Sequence, residues 1–166
     1  MKKYDIIVGI DPDVEKSGVA TLRLPSKYAN FNAFTFAQTM KYFDLLKEVQ
    51  QEDKKTIAIV VEASWMIKAN WHLMRSDNAR IAASKGYKVG ANHEIGKLIA
   101  EMARDKGLHV VEHAPLRKCW RGKDGKITAE ELASFTGVKK RSNQEMRDAL
   151  LLAWCFADLP IRLRCG

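Results

Sequence analysis

Two runs of apolar residues organise the chain, and each of them ends on a carboxylate. The first run covers residues 6–11 and ends on Asp11, and the second covers residues 56–62 and ends on Glu62. Neither run alternates apolar and polar side chains, which is typical of strands covered on both faces. We therefore predict two central strands whose last residues are acids.

The remaining pattern predicts further strands and helices around these two. Residues 19–24 alternate and follow a turn, so they are predicted to form a hairpin with the first strand. The other predicted elements are a strand at 33–37, a helix at 40–51, a helix from Asn92 to Gly107, a strand at 108–112, a short helix from Thr128 with a capping box to Glu131, and a last helix at 143–158. Residues 63–90 lack a clear period and are predicted to be a loop with a short helix at 78–84.

The order of these elements indicates one α/β domain over residues 1–166. An antiparallel hairpin is followed by a helical crossover and another buried strand, which predicts a mixed sheet flanked by helices. No apolar stretch approaches the roughly 18 residues of a membrane span. The three cysteines are odd in number and lack the spacing of a zinc site or a disulfide framework. We therefore expect a cytoplasmic protein without a membrane partner.

Basic residues exceed acidic residues, and the excess is concentrated in one segment. The chain has 28 lysines and arginines against 20 aspartates and glutamates, a formal net charge of +8. Residues 115–142 alone contain eight lysines and arginines and three acids. Such a segment favours an anionic partner such as nucleic acid, and a solvated basic face is the alternative.

Two further acids lie in the last predicted helix. Glu145 and Asp148 are three residues apart, so they share one face of that helix. If that face meets the ends of the two central strands, four carboxylates come together and repel unless cations compensate them. Oxygen-only ligands suit Mg²⁺, or Mn²⁺ in its place, and two such ions about 3.5–4 Å apart can hydrolyse a phosphodiester. We therefore predict that the catalytic metal ligands are Asp11, Glu62, Glu145 and Asp148.

Each of these acids except Asp148 has a structural alternative. Asp11 could cap a turn, and Glu62 could be a solvated strand end. Glu145 could complete a capping box with Ser142, because the two residues have the required spacing. Asp148 is harder to explain structurally, since it interrupts an otherwise apolar helix.

The four acids and their settings resemble the RNase H-like superfamily, and specifically the RuvC-type Holliday-junction resolvases. Residues 9–12, Gly-Ile-Asp-Pro, are similar to the family's first motif, Glu62 to its second, and residues 145–150 to its third. The resemblance spans nearly the whole chain and departs from the pattern at Glu145, where the family usually has Asp. It implies an RNase H-like fold with a five-stranded sheet, in which three antiparallel strands are followed by parallel strands.

The resemblance also implies a function and partners. It implies a Mg²⁺-dependent endonuclease that cleaves branched DNA, such as a four-way junction, in DNA recombination and repair. It implies a homodimer, because symmetric nicking of a two-fold substrate needs two active sites, and the dimer helices would correspond to the Asn92 helix and its neighbours. Rival functions are an RNase H-like nuclease acting on RNA or an RNA/DNA hybrid, and a non-catalytic DNA-binding protein on the same scaffold.

Six residues are predicted to contact DNA. Trp65 lies three residues after Glu62, where the family places an aromatic residue that stacks on bases, and packing in the core is its equal alternative. Lys118 falls near the position where the family carries a basic residue beside the scissile phosphate. The other four belong to the basic segment and are Arg121, Lys139, Lys140 and Arg141.

Overall fold

The architecture is a five-stranded sheet with helices on both faces. It is seen in a computed structural model that describes residues 3–68 and 74–162. The helices and strands are β1 (Ile6–Asp11), β2 (Ser17–Arg23), β3 (Tyr28–Phe34), α1 (Phe36–Glu52), β4 (Ile57–Glu62), α2 (Ala79–Asp105), β5 (His109–His113), α3 (Ala129–Thr136) and α4 (Gln144–Phe156). Short 3₁₀ helices lie at Ser64–Met66 and Lys123–Gly125.

The strand order confirms the predicted mixed sheet. The strands lie in the order β3-β2-β1-β4-β5. β1, β2 and β3 pair antiparallel, while β4 pairs parallel to both β1 and β5. Three antiparallel strands followed by parallel strands, with helix α1 crossing between them, form the RNase H-like fold that the sequence predicted. β1 and β4 are central because their apolar runs need cover on both faces.

The two faces of the sheet are covered by different helices. Alternate residues of β1 and β4, among them Val8 and Ile59, pack with α1 and α2 in one apolar cluster. The residues between them, among them Ile7 and Val60, pack against α4 on the other face. Since side chains alternate along a strand, Asp11 and Glu62 fall on the α4 face.

Two glycines let α4 lie directly on the sheet. A Cβ on Gly9 would be 2.1 Å from the backbone oxygen of Ala149, and one on Gly18 would be 1.9 Å from the backbone oxygen of Glu145. No side chain fits at either position. The N-terminal half of α4, which carries two of the predicted acids, therefore sits against the end of β1.

The segment after β4 differs most from the prediction. α2 begins at Ala79 and runs through Asn92, so the helix predicted at 78–84 is present as the start of a longer helix, while the loop predicted over residues 85–90 and the N-cap at Asn92 are wrong. Asn78 caps the helix instead, accepting a hydrogen bond from the backbone N–H of Ile81. Gly86 and Gly90 both lie in open space on the surface of this helix, where each lowers helix stability by about 1 kcal/mol without ending the helix. Residues 69–73 of the predicted loop lie outside the described residues.

A capping box also shifts the boundary between β3 and α1. Thr35 Oγ1 accepts from the Gln38 backbone N–H, and Gln38 Oε1 accepts from the Thr35 N–H. The chain therefore enters the helix at Phe36, and the strand lies at Tyr28–Phe34 rather than at 33–37. The capping box predicted at Thr128 and Glu131 is confirmed at the start of α3. Among the described residues, no helix is both long and apolar enough to span a membrane.

Candidate active site

Two of the predicted acids lie side by side at the ends of neighbouring strands. Ile10 of β1 pairs with Val61 of β4 in the parallel ladder, and Asp11 and Glu62 are the next residues of the two strands. Both side chains are half-buried and line one cleft. The parallel register thus accounts for the first half of the site.

Helix α4 supplies the other two acids to the same cleft. Glu145 and Asp148 lie in its first two turns and line the cleft with Asp11 and Glu62. The capping box suggested for Glu145 is wrong, because Asn143 is the N-cap and accepts from the backbone N–H of Met146. Glu145 is the second residue of the helix, so capping does not explain it.

Asp11 is the most strongly perturbed of the four acids. Burial raises the pKa of its carboxyl well above the ordinary value, and the carboxylates of Glu62 and Asp148 raise it further. Within the described chain, the Asp11 carboxylate takes part in no hydrogen bond or ion pair. The turn-capping alternative is therefore not observed for Asp11.

The carboxyls of Glu62 and Asp148 are perturbed in the same direction. Burial raises the pKa of Glu62, helped by Asp148, while a hydrogen bond from Ser64 Oγ at 3.3 Å lowers it. Burial also raises the pKa of Asp148, against a hydrogen bond from Gln144 and the positive charge of Lys126. Three neighbouring acids whose charged forms are disfavoured are typical of a functional site that binds a cation.

Lysines face the acids from the basic segment. Lys118 lines the cleft, and its charge lowers the pKa of Glu62. Lys126 lies closer, with its Nζ 3.7 Å from Asp148 Oδ2, and it lowers the pKa of Asp11, Glu62 and Asp148. The sequence does not single out Lys126, because nothing in its spacing separates it from the other basic residues of the segment.

Trp65 is packed against the protein. Its ring lies against Gly96 of α2, where an added Cβ would be 2.5 Å from the indole, and it meets His93 edge-on at a centroid distance of 6.3 Å. Trp65 also packs onto the apolar cluster beneath α1 and α2. These contacts support the packing alternative, although its neighbour Ser64 does line the cleft.

The remaining four predicted DNA contacts do not line the cleft. Arg121 is exposed, and its backbone N–H donates to the Glu131 carboxylate on α3. Lys139 and Arg141 are exposed between α3 and α4. Lys140 is hydrogen-bonded to β3, since its Nζ donates to the Phe31 backbone oxygen at 3.1 Å and to Asn32 Oδ1 at 3.0 Å.

Helix α2 forms a wall of the cleft that the sequence did not indicate. Asn92 and His93 line the cleft from this helix. Asn92 Oδ1 accepts from the Val14 backbone N–H at 2.9 Å, and its Nδ2 donates to Asp13 Oδ2 at 3.3 Å. Asn92 therefore ties α2 to the turn that follows Asp11, a contact between residues far apart in the sequence.

The donor chemistry of the cleft fits a hard divalent cation. All four acids offer carboxylate oxygens, the ligands that Mg²⁺ and Mn²⁺ prefer. As placed, no three histidine, cysteine, aspartate or glutamate side chains in residues 3–68 and 74–162 converge closely enough to hold an ion. Asp148 is engaged by Gln144 and Lys126, and Glu62 by Ser64. A shared ion would therefore require Asp148 Oδ2 to move away from Lys126, and Glu62 to move away from Ser64.

Comparison with known proteins gives similarity only at the level of structure. No protein-family model and no curated protein matches the chain. The chain is similar to T. thermophilus RuvC in complex with a Holliday junction substrate, with 16% identity over 89% of each chain and a TM-score of 0.43. It is also similar to the large terminase nuclease from thermophilic phage G20c, with 13% identity over 92% of this chain and 82% of that one and a TM-score of 0.33. Both TM-scores lie below 0.5, so neither similarity bears on the activity of this chain.

Proposed function

We propose that the chain is a metal-dependent endonuclease that hydrolyses phosphodiester bonds in branched DNA. The observation that carries this proposal is that Asp11, Glu62, Glu145 and Asp148, which come from three elements, line the same cleft. Burial raises the pKa of three of these acids, and the positive charge of Lys126 offsets only part of that effect. A divalent cation would offset the remainder.

The residues of the cleft divide into two roles in this proposal. The four acids would hold one or two Mg²⁺ ions, which would supply activation of water and stabilisation of the leaving oxygen. Lys118, an exposed residue that lines the cleft, binds the phosphate next to the bond that is cleaved. Lys126 offsets part of the acids' charge from inside the cleft.

Branched DNA is proposed as the substrate on the motif resemblance and on the basic residues. Arg117 and Lys118 line the cleft, and Arg121, Lys139 and Arg141 are exposed outside it. Exposed lysines and arginines suit the phosphate backbone, which makes up most of the charge that a junction presents. The branch itself is inferred from the resemblance to RuvC-type resolvases in the three motifs.

The test is a cleavage assay with three labelled substrates of equal length. A four-way junction, a linear duplex and an RNA/DNA hybrid are each incubated with the protein in Mg²⁺ or in EDTA. We expect the wild type to cleave the junction in Mg²⁺ and not in EDTA. Asp11→Asn and Asp148→Asn should not cleave the junction, although both variants should still bind it. Preferential cleavage of the hybrid would support the RNase H-like rival instead.

We further propose that the protein acts as a homodimer in the cytoplasm. Exposed apolar side chains occur on the N-terminal half of α2, where Ile81 is 44% and Tyr87 is 81% exposed. A second copy covering this helix would bury them and would bring two active sites to a two-fold substrate. Ile81→Lys and Tyr87→Lys should therefore shift the mass measured by light scattering to that of a monomer. The cytoplasmic location is proposed on the cysteine content, because three cysteines without paired spacing are typical of a reducing compartment.

A non-catalytic DNA-binding protein is the second candidate, and one observation favours it. The ion pair of Lys126 with Asp148 partly neutralises the cluster without a metal. In this case the chain binds the junction equally well in Mg²⁺ and in EDTA and never cleaves it. The three-substrate assay separates the two candidates directly.

A further inference from the structure

Gln144, the first residue of α4, contacts one of the acids of the cleft. Its Nε2 donates to Asp148 Oδ1 at 2.7 Å and to the backbone oxygen of Ile127 at 3.3 Å. An amide nitrogen carries two protons, so both donors of Gln144 are used. The side chain thus joins the helix to the segment that carries Lys126.

Arg147 holds the other end of the Gln144 amide. Its Nη2 donates to Gln144 Oε1 at 2.8 Å, and its Nε donates to the Ile127 oxygen at 3.1 Å. Its Nη1 donates to the backbone oxygen of Ser142 at 3.1 Å and to Ser142 Oγ at 3.2 Å. Because arginine only donates, the oxygen of the amide must face Arg147 and its nitrogen must face Asp148.

The contacts at Asp148 come from two sides. Gln144 donates to Oδ1, while Lys126 Nζ lies 3.7 Å from Oδ2. The neighbouring Ile127 side chain is 1% exposed, so the backbone that follows Lys126 is fixed in the core. The direction of the Asp148 carboxylate and the position of Lys126 therefore depend on the same amide.

We propose that Gln144 is a positioning residue that sets the direction of the Asp148 carboxylate for metal binding, and that Arg147 acts through Gln144. The inference rests on the proposed function, because it takes Asp148 as a metal ligand. A neutral amide suits this role, since it orients one carboxylate oxygen without adding a charge that would compete with the cation. Hydrogen-bond partners that orient metal ligands typically change metal affinity or activity 10–100-fold when they are removed.

The test measures Mn²⁺ binding to the protein without DNA, by electron paramagnetic resonance of the free ion. The variants are Gln144→Met, which keeps the length of the side chain, Gln144→Ala as a second replacement, and Arg147→Met. Gln51→Met, at an exposed position on α1, is the matched control. Far-UV circular dichroism and thermal melting in EDTA establish that each variant is folded.

We expect both Gln144 variants to bind Mn²⁺ about 10-fold to 100-fold more weakly than the wild type, while the control binds normally. The double variant with Gln144→Met and Arg147→Met should bind no more weakly than Gln144→Met, since the second change removes nothing further. Equal Mn²⁺ affinity in the wild type and both Gln144 variants would overturn the inference, and so would loss of the folded structure in both. If the wild type itself binds no Mn²⁺, it is the proposed function that fails.

Discussion

Gly18 lies directly beneath Glu145, so closely that a Cβ on Gly18 would be 1.9 Å from the backbone oxygen of Glu145. Gly18 is also the partner of Asp11 in the antiparallel ladder of β1 and β2. The same glycine therefore seats the first turn of α4 and neighbours the strand end that carries Asp11. The spacing between two of the four acids depends on a position that has no side chain.

Gly18→Ala should consequently disturb both stability and activity. The added methyl group forces α4 away from β2, and overpacking of this kind costs about 1–3 kcal/mol in the free energy of unfolding. Urea unfolding measures the loss, and junction cleavage should fall with it. Gly86→Ala is the matched control, because its Cβ would meet open space on α2, and it should stabilise the protein by up to about 1 kcal/mol. Equal stability of Gly18→Ala and wild type would show that α4 is not seated as described.

The raised pKa of Asp11 predicts a pH dependence of stability in EDTA. The folded state binds a proton on this carboxyl more tightly than the unfolded state, whose pKa is about 4. The resulting stabilisation is fully present below the unfolded pKa and is lost as the pH rises through the folded pKa. Asp11→Asn stays neutral throughout, so its stability relative to wild type should increase from pH 5 to pH 8.

Thermal melting at several pH values measures this difference. Glu48→Gln, at an exposed position on α1, serves as a control for the loss of one negative charge. A difference between Asp11→Asn and wild type that stays constant over this range, or that falls toward pH 8, would mean that Asp11 is not held in a charge-disfavouring site.

Glu145 can now be tested without the capping alternative. Because Asn143 caps α4, Glu145→Gln should leave the melting temperature in EDTA close to that of the wild type. If Glu145 is a metal ligand, cleavage should fall by two orders of magnitude or more, which corresponds to about 2.7 kcal/mol of transition-state stabilisation. Glu145→Asp should be partly active, since it keeps a carboxylate and moves it back by about one methylene group. Full activity of Glu145→Gln would mean that Glu145 is not a metal ligand and that the site has three acids.

The exposed basic residues between α3 and α4 should contribute to DNA binding unequally. Replacing Lys139 and Arg141 together with Gln should lower the slope of log K against log salt by up to about 2, roughly one for each phosphate that is no longer neutralised. Lys140→Gln is the internal comparison, because its ammonium is bonded to β3. Lys140→Gln should lower the melting temperature and leave the slope of log K against log salt unchanged. An unchanged slope in the Lys139 and Arg141 variant would indicate that this segment is a solvated basic face that does not contact DNA.

The parts of the fold that the sequence predicted are those with a strong local signal. β1 and β4 are continuous apolar runs, and α4 is apolar nearly all round, so burial alone identifies them. The parallel pairing of β1 with β4 then brings Asp11 and Glu62 together as expected. The C-terminal half of helix α2 was predicted, but its continuous N-terminal half was not, because that half is exposed and interrupted by glycines, which removes the periodicity on which the prediction depends.

The residues around the acids could not be predicted, because their roles depend on contacts between distant segments. Lys126 comes next to Asp148 only when the basic segment folds over α4. The sequence around Asn92 predicts a helix cap, and its bonds to the turn at Asp13 and Val14 exist only in the folded chain. Residue type and local spacing carry no information on such contacts.

Anomalous diffraction from crystals soaked in Mn²⁺ would locate any bound metal directly. We expect one or two anomalous peaks in the cleft, coordinated by Asp11 together with Glu62 or Asp148, and about 3.5–4 Å apart if there are two. Glu62 and Asp148 should turn away from Ser64 and Lys126 to reach the ions, and the peaks should be absent from Asp11→Asn crystals. A wild-type cleft without an anomalous peak at saturating Mn²⁺, with Lys126 still paired to Asp148, would contradict a metal-dependent nuclease.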